Sequence, residues 1–252
     1  MRNNIGEEYR LNSSDNFFHT PEGLGFQREA TFQKMGARYE LVRDGFRQKP
    51  VSGQIMFKTD ATASAYNRYL AFKNFLQEIP LTLVYRVPGG EFCMDCIPNT
   101  VEKTEINSSL GMNVGIELLP LTMWYQKIIQ TGTSSTTIIS DSAIDSPCCL
   151  SFSGVTKSSA DLTWTQAVDG VSVMTGTLKS VTIASTDAVY VRTDKDPYMI
   201  YKETSGGAKT SLYQSSNFNT SRFPFIKKGV NVFSVAGATS MTIEGRILYE
   251  TV

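Results

Sequence analysis

TDATASAYNRYLAFKNFLQEIP, residues 59–80, sets how the rest of the chain is read. Tyr66, Tyr69, Leu70, Phe72, Leu76 and Ile79 recur at spacings of three and four, which gathers an aromatic-rich apolar stripe on one side of a helix over 59–79. Asn67, Arg68, Lys73, Asn74 and Gln77 fall on the other side. Thr59 or Asp60 can cap the N-terminus by accepting a backbone N–H bond, and Pro80, which has no N–H to donate, stops the helix. No other stretch of the 252 residues carries this periodicity. One helix with one apolar face needs a sheet to lie on, so the first half of the chain reads as a β-rich domain with a single helix.

Strand patterns surround it. Residues 5–20 read as an edge strand and loop, followed by the turn-rich PEGLGF at 21–26. Two strand-like arms, 30–35 and 51–58, then flank a charged middle, 38–49, in which Tyr39, Leu41, Val42 and Phe46 lie among Arg38, Arg43, Asp44, Arg47 and Lys49. That middle is too polar for a core and too apolar to stand alone in solvent. It is either a long hairpin folded onto its own sheet or an arm that packs on a neighbouring subunit. After the helix, LTLVYRV (81–87) and EFCMDC (91–96) flank PGG and form a hairpin, 101–106 is a weaker strand, and 110–118 alternates in clean period two.

Between 129 and 147 the text becomes dense in Ser and Thr, which places a boundary segment at 131–147 between a domain at 1–130 and another at 148–252. Beyond it, short strands with turn signals roughly every 8 to 12 residues, ending in MTIEGRILYETV, predict a β-sandwich or jelly-roll-like domain.

Composition excludes more chemistry than it suggests. Lys and Arg total 24 and Asp and Glu total 24, so no net charge draws the chain to nucleic acid or an anionic membrane. The first residues lack the apolar core of a signal peptide, and synthesis in the cytoplasm is expected. The single histidine, His19, lies in a polar segment with no nucleophile motif beside it, which argues against a triad. Cys93 and Cys96 form a CxxC inside a strand, and Cys148 and Cys149 are adjacent; buried reduced thiols fit better than a metal or redox site. Glu102 with Glu105, and Asp194 with Asp196, sit in charged segments that also hold lysines. No cofactor motif is present, so no catalytic, metal or cofactor residues are assigned, and a non-enzymatic protein is expected. Trp164, Tyr190, Tyr198, Tyr201 and Tyr213 are the aromatics that could build a sugar-stacking face.

The order of elements adds a resemblance. REATFQKMGARYELV (28–42), AYNRYLAFKNFLQ (65–77), PLTLVYRVPGGEFCMDC (80–96), the strand ending ELLPLTMWYQ (117–126), and the closing RFPFIKKGVNVFSVAGATSMTIEGRILYETV (222–252) together resemble the siphophage distal tail protein (Dit) family, found in tailed phages of Gram-positive bacteria. The likeness is strongest over 28–125 and 222–252 and weakest in the Ser/Thr-rich middle. It implies a virion protein at the distal tail tip or baseplate: a homo-hexameric ring built from the N-terminal domains, with an axial channel for DNA and a galectin-like β-sandwich projecting from each copy. The partners implied are the major tail tube protein, the end of the tape-measure protein, a tail-associated lysin-like protein, and baseplate upper or receptor-binding proteins, with no sequence-specific nucleic acid and no membrane. On this reading 38–49 reaches the adjacent subunit through Tyr39, Leu41 and Phe46. The outer domain has no room for a large inserted arm and serves as a docking base. The alternative is a carbohydrate-binding module for host cell-wall saccharide, with Trp164, Tyr190 and Tyr198 as contacts.

Overall fold

In a computed structural model, the chain divides into two units, Met1–Tyr125 and Gln126–Tyr249. The structure describes all residues except 36–37, 108–110, 156–161, 179–181, 216–222 and 251–252, and leaves out the side chains of 32, 35, 39, 40, 42–44, 46, 104–107 and 215. It is mainly β with one α-helix among the described residues, as the periodicities predict.

The first unit contains β1 (Asn16–Glu22), β2 (Phe26–Met35), β3 (Arg38–Gln48), β4 (Val51–Lys58), α1 (Ala65–Phe75), β5 (Leu81–Val87), β6 (Gly90–Asn107), β7 (Gly111–Pro120) and the start of β8 (Trp124–Gly132). Its main sheet runs β1-β4-β7-β6, all antiparallel, with β5 on the first half of β6. The weak strand expected at 101–106 is the far half of β6. Pro98 is tolerated inside this strand because the register slips between Pro98 and Thr100, so the ladder there does not need its missing N–H. Val51, Ile55 and Phe57 of β4 and Met112, Val114, Ile116 and Leu118 of β7 alternate into the core. Each such side chain contributes roughly 1.5–3 kcal/mol of burial.

The helix is shorter than 59–79, and its caps are not the ones expected. Ser64 is the N-cap, its Oγ accepting from the Asn67 N–H at 3.2 Å. Thr59 and Asp60 instead shape the preceding loop: Thr59 Oγ1 accepts from the Ala65 N–H at 3.1 Å, and Asp60 Oδ1 accepts from the Thr62 and Ala63 N–H groups at 2.8 and 3.1 Å. The chain leaves the helix at Leu76, before Pro80 is reached. Phe72, Phe75 and Leu76 make the buried face, with Phe72 at 5.7 Å from the Phe57 ring and 5.0 Å from Tyr9. Tyr66 and Ile79, expected in the apolar stripe, are exposed. Arg68, expected in solvent, lies against the sheet, donating to Lys58 O and Asp60 Oδ2, each at 2.6 Å. The Thr62 hydroxyl, with the Arg68 guanidinium and two backbone N–H groups, holds the Asp60 carboxyl well below the usual carboxylate range.

The second unit takes the rest of β8 and adds β9 (Ser135–Ser140), β10 (Ser146–Ser153), β11 (Thr163–Val168), β12 (Val171–Thr177), β13 (Ala188–Arg192), β14 (Met199–Glu203), β15 (Lys209–Ser211), β16 (Phe225–Ile226), β17 (Gly229–Ala236) and β18 (Ser240–Tyr249). Two sheets face each other, one ordered β18-β10-β13-β14-β15 and the other β12-β11-β17-β9. Leu150, Phe152, Val189, Val191 and Ile243 from the first sheet meet Trp164, Met174, Phe233 and Ile138 from the second in one core. The segment 131–147 is therefore not a linker. It supplies β9, an edge strand paired with β17 from Ser135↔Ser234 to Ser140↔Gly229, and the first residues of β10. Ser140, Ser142 and Ser146 are buried, and two of them bond to β18: Ser142 Oγ donates to Leu248 O, and Ser146 Oγ accepts from the Leu248 N–H at 2.9 Å. A low density of bulky residues hid a structural strand because hydrogen bonds there replace apolar packing.

Candidate assembly and binding surfaces

The β2–β3 hairpin forms a two-stranded sheet of its own, from Phe26↔Gln48 to Met35↔Arg38. No third strand joins it among the described residues. Gln48 anchors its base, with Nε2 donating to Gly25 O at 2.8 Å. The two readings left open by the sequence resolve in part: 38–49 is a hairpin arm, but it does not fold back onto the main sheet. A ribbon of two strands is marginal by itself in water.

Its register changes how the ribbon's faces are composed. Thr31 pairs with Arg43 but Phe32 pairs with Leu41, so β3 carries one extra residue at this point. Simple alternation would put position 46 on the face opposite 39 and 41. The extra residue reverses the alternation, and positions 39, 41 and 46 of β3 come onto one face, with positions 26, 28, 32 and 34 of β2 opposite them. By register that face carries aromatic or apolar residues at positions 26, 30, 32, 39, 41 and 46 and charged ones at 28, 34 and 44, while the other carries polar or charged residues at 27, 29, 31, 33, 38, 40, 43 and 47 and a methionine at 35. Leu41 is 48% and Phe26 39% exposed. Arg47 on the polar face makes a solvent-exposed pair with Glu29 at 3.4 Å, worth under about 1 kcal/mol.

The aromatics nominated for sugar separate. Trp164 is 1% exposed, with Phe152 at 5.6 Å and Gly176 so close that a Cβ there would lie 2.3 Å from the indole. It is a core residue and offers no face to a ligand, which corrects its nomination. Tyr190 is half-buried and stacks on Tyr201 at 4.9 Å. Tyr198 is 41% exposed and lines an open groove of about 1160 Å³ on the second unit, together with Arg192, Asp194, Met199, Tyr201 and Tyr213. Arg192 grips Asp194 through two bonds, Nε to Oδ1 at 2.8 Å and a terminal nitrogen to Oδ2 at 2.6 Å, which holds the Asp194 carboxyl below its ordinary range. Sequence reasoning passed over Arg192 and treated Asp194 as a solvated strand end, because their pairing depends on the bend after β13.

The remaining reactive groups have quiet surroundings. His19 stacks on Phe17 at 6.0 Å and 9°. All four cysteines are buried thiols, and burial pushes Cys96 and Cys149 up to about 12 and Cys148 higher still. Such thiols stay protonated near neutrality and are poor nucleophiles and ligands. Glu102 is exposed, and the Glu105 side chain is outside the described residues. Among the described residues no three His, Cys, Asp or Glu side chains converge as a metal site would require.

Residues 1–121 match the sequence profile of the distal tail protein N-terminal domain. The first unit is a distal tail protein N-terminal domain. The crystal structure of SPP1 Dit, described as a paradigm of the hub adsorption apparatus in phages infecting Gram-positive bacteria, is similar in fold, with a TM-score of 0.65 and 10% identity over 93% of this chain and 94% of that one. A chain of the phage P2 baseplate in its activated conformation with calcium has a TM-score of 0.60 and 13% identity, covering 99% of this chain and 96% of its own. The same baseplate with strontium has a TM-score of 0.58 at 13% identity, with the same coverage. No curated protein sequence matches. The likeness to the distal tail protein family read from the sequence thus holds, in sequence over the first unit and in fold over nearly the whole chain.

Proposed function

We propose that this protein is a non-enzymatic structural hub at the distal end of a long, non-contractile phage tail. Six copies close into a ring through their distal tail protein N-terminal domains, around an axial channel that lets DNA pass. The ring joins the tail tube and the tape-measure end on one side to a lysin-like tail protein and baseplate or receptor-binding proteins on the other, with the second unit, a galectin-like sandwich, as a docking base. The assembled protein resides in the virion after synthesis in the host cytoplasm. The observation that carries the ring is the β2–β3 hairpin: it pairs with no other strand of its own unit among the described residues, and its register brings its four aromatic positions, 26, 32, 39 and 46, onto one face. A closed ring needs a heterologous contact between each copy and the next, and a ribbon with an aromatic-bearing face supplies one side of it. The balanced charge also suits a channel that passes DNA without gripping it.

Negative-stain electron microscopy with light scattering over a concentration series tests this. The expected result is six-fold rings for the unaltered chain and folded monomers for Leu41→Asp and for Phe46→Asp. Rings that persist in both variants, or a monomer at every concentration of the unaltered chain, would overturn the assignment of the hairpin.

A further inference from the structure

The second unit carries a surface that the hub reading leaves unused. Register sets a row of residues across three strands on the side of the sheet away from the core: Arg192 opposite Met199, and Tyr201 opposite both Tyr190 and Ser211. Their neighbours Val189, Val191 and Ile200 point into the core, so this row is the sheet's outer face. The bend after β13 and the turn after β15 rise beside it and make the open groove of about 1160 Å³.

We propose that this groove binds a neutral oligosaccharide. Three features converge on that class. Tyr198 and Tyr213 are 41% and 46% exposed along the groove, and Tyr198 is held in place by Phe223 at 5.3 Å and Phe225 at 5.7 Å. A partly exposed aromatic ring held by its neighbours suits the C–H face of a pyranose, which is apolar on one side and hydroxylated at its rim. Beside the rings, the Arg192–Asp194 pair is pre-set by its two bonds yet partly open, its side chains 24% and 29% exposed. Vicinal hydroxyls each donate and accept, so a carboxylate with spare lone pairs next to a guanidinium with spare N–H groups matches a sugar diol without rearrangement.

Charge decides between a sugar and a phosphate-bearing ligand. Arg192, Lys195 and Lys209 line the groove with Asp194 and Asp196, and Lys209 also pairs with Glu203 at 3.6 Å. Arg192 and Lys209 are each paired with an acid, and Lys195 stands between Asp194 and Asp196 in the chain, which leaves little net field to concentrate an anion. Size argues for several sugar units, since the groove exceeds the span of roughly 300–1,000 Å³ typical of pockets for drug-sized ligands. Open, solvated contacts of this kind give weak binding, about millimolar for a single groove.

The inference does not depend on ring closure and is tested on the full chain. Saturation-transfer NMR would be run with chitotetraose, maltohexaose, a mannose oligomer, a galactose oligomer and a rhamnose oligomer as neutral probes, and with poly(glycerol phosphate) as the charged one. The expected result is transfer to the ring C–H protons of at least one neutral probe, weakened tenfold or more by Tyr198→Ala and by Asp194→Asn, and unchanged by Val171→Ser on the other sheet. Asp194→Asn keeps the side chain's shape, so it carries the test if Tyr198→Ala lowers the melting temperature. Absence of transfer from all five neutral probes, as a protein-docking surface would give, overturns the proposal. So does binding of the phosphate polymer alone, or binding that both groove variants leave intact.

Discussion

Asn231 shows how much one polar side chain decides in the second unit. It is fully buried, yet its amide nitrogen donates to Lys227 O at 2.6 Å and Gly229 O at 3.2 Å, and its oxygen accepts from the Lys227 N–H at 2.9 Å and Gln166 Nε2 at 3.0 Å. Replacing it by alanine leaves several of these groups buried without partners, so Asn231→Ala is expected to lower stability by about 2–3 kcal/mol, read as a shift of the urea transition. The thiols give a pH dependence at the same scale. With folded values near 12 for Cys96 and Cys149 against an ordinary 9.0, the unfolded chain loses thiol protons first as pH rises. The folded state binds more protons in this window, so stability is full below pH 9, falls between 9 and 12, and the tyrosines Tyr9 and Tyr249, also raised to about 12, act in the same sense. A urea midpoint that declines above pH 9, with no native-state reaction of the thiols with a disulfide reagent at pH 8, is the expected pair of results.

At the scale of elements, the helix illustrates a local signal read one turn too early. Thr59, Asp60 and Ser64 all have capping side chains, and only packing selects among them: the buried face begins at Ala65, with Phe72 and Phe75 against Tyr9 and Phe57. Ser64→Ala should cost about 1 kcal/mol, and faster amide exchange in the first turn would locate the loss. If Thr59→Ala had the larger effect, the loop and not the cap would be what starts the helix. The hairpin teaches the converse. A strand-like arm at 30–35 and a mixed apolar and charged segment at 38–49 were legible, but the extra residue opposite Phe32 was not, because a one-residue slip leaves composition untouched while it reverses which positions share a face. Likewise Gly176 looks like an ordinary strand glycine until Trp164 is seen to occupy the space of its missing side chain.

For the whole molecule, the hairpin is separable from the fold that bears it. Replacing residues 28–46 with a short turn should leave the denaturation midpoint of the first unit nearly unchanged, since β1, β4, β7 and β6 pair without it, while abolishing assembly of the full chain. A large loss of stability would mean that the ribbon is structural support. By itself the sequence determined a mainly β chain with one helix, strand patterns on either side of a Ser/Thr-rich segment, the family likeness and the absence of a recognisable catalytic motif. These follow from periodicity and residue chemistry, which act over a few neighbouring residues. Tertiary structure alone decided where the units part, that the Ser/Thr-rich segment is a sandwich strand, that Trp164 belongs to the core, and that Arg192, Asp194 and Tyr198 line one groove. Burial and hydrogen-bond partners come from strands distant in the chain, paired here across separations such as Gln166 to Asn231, so no local pattern could assign them.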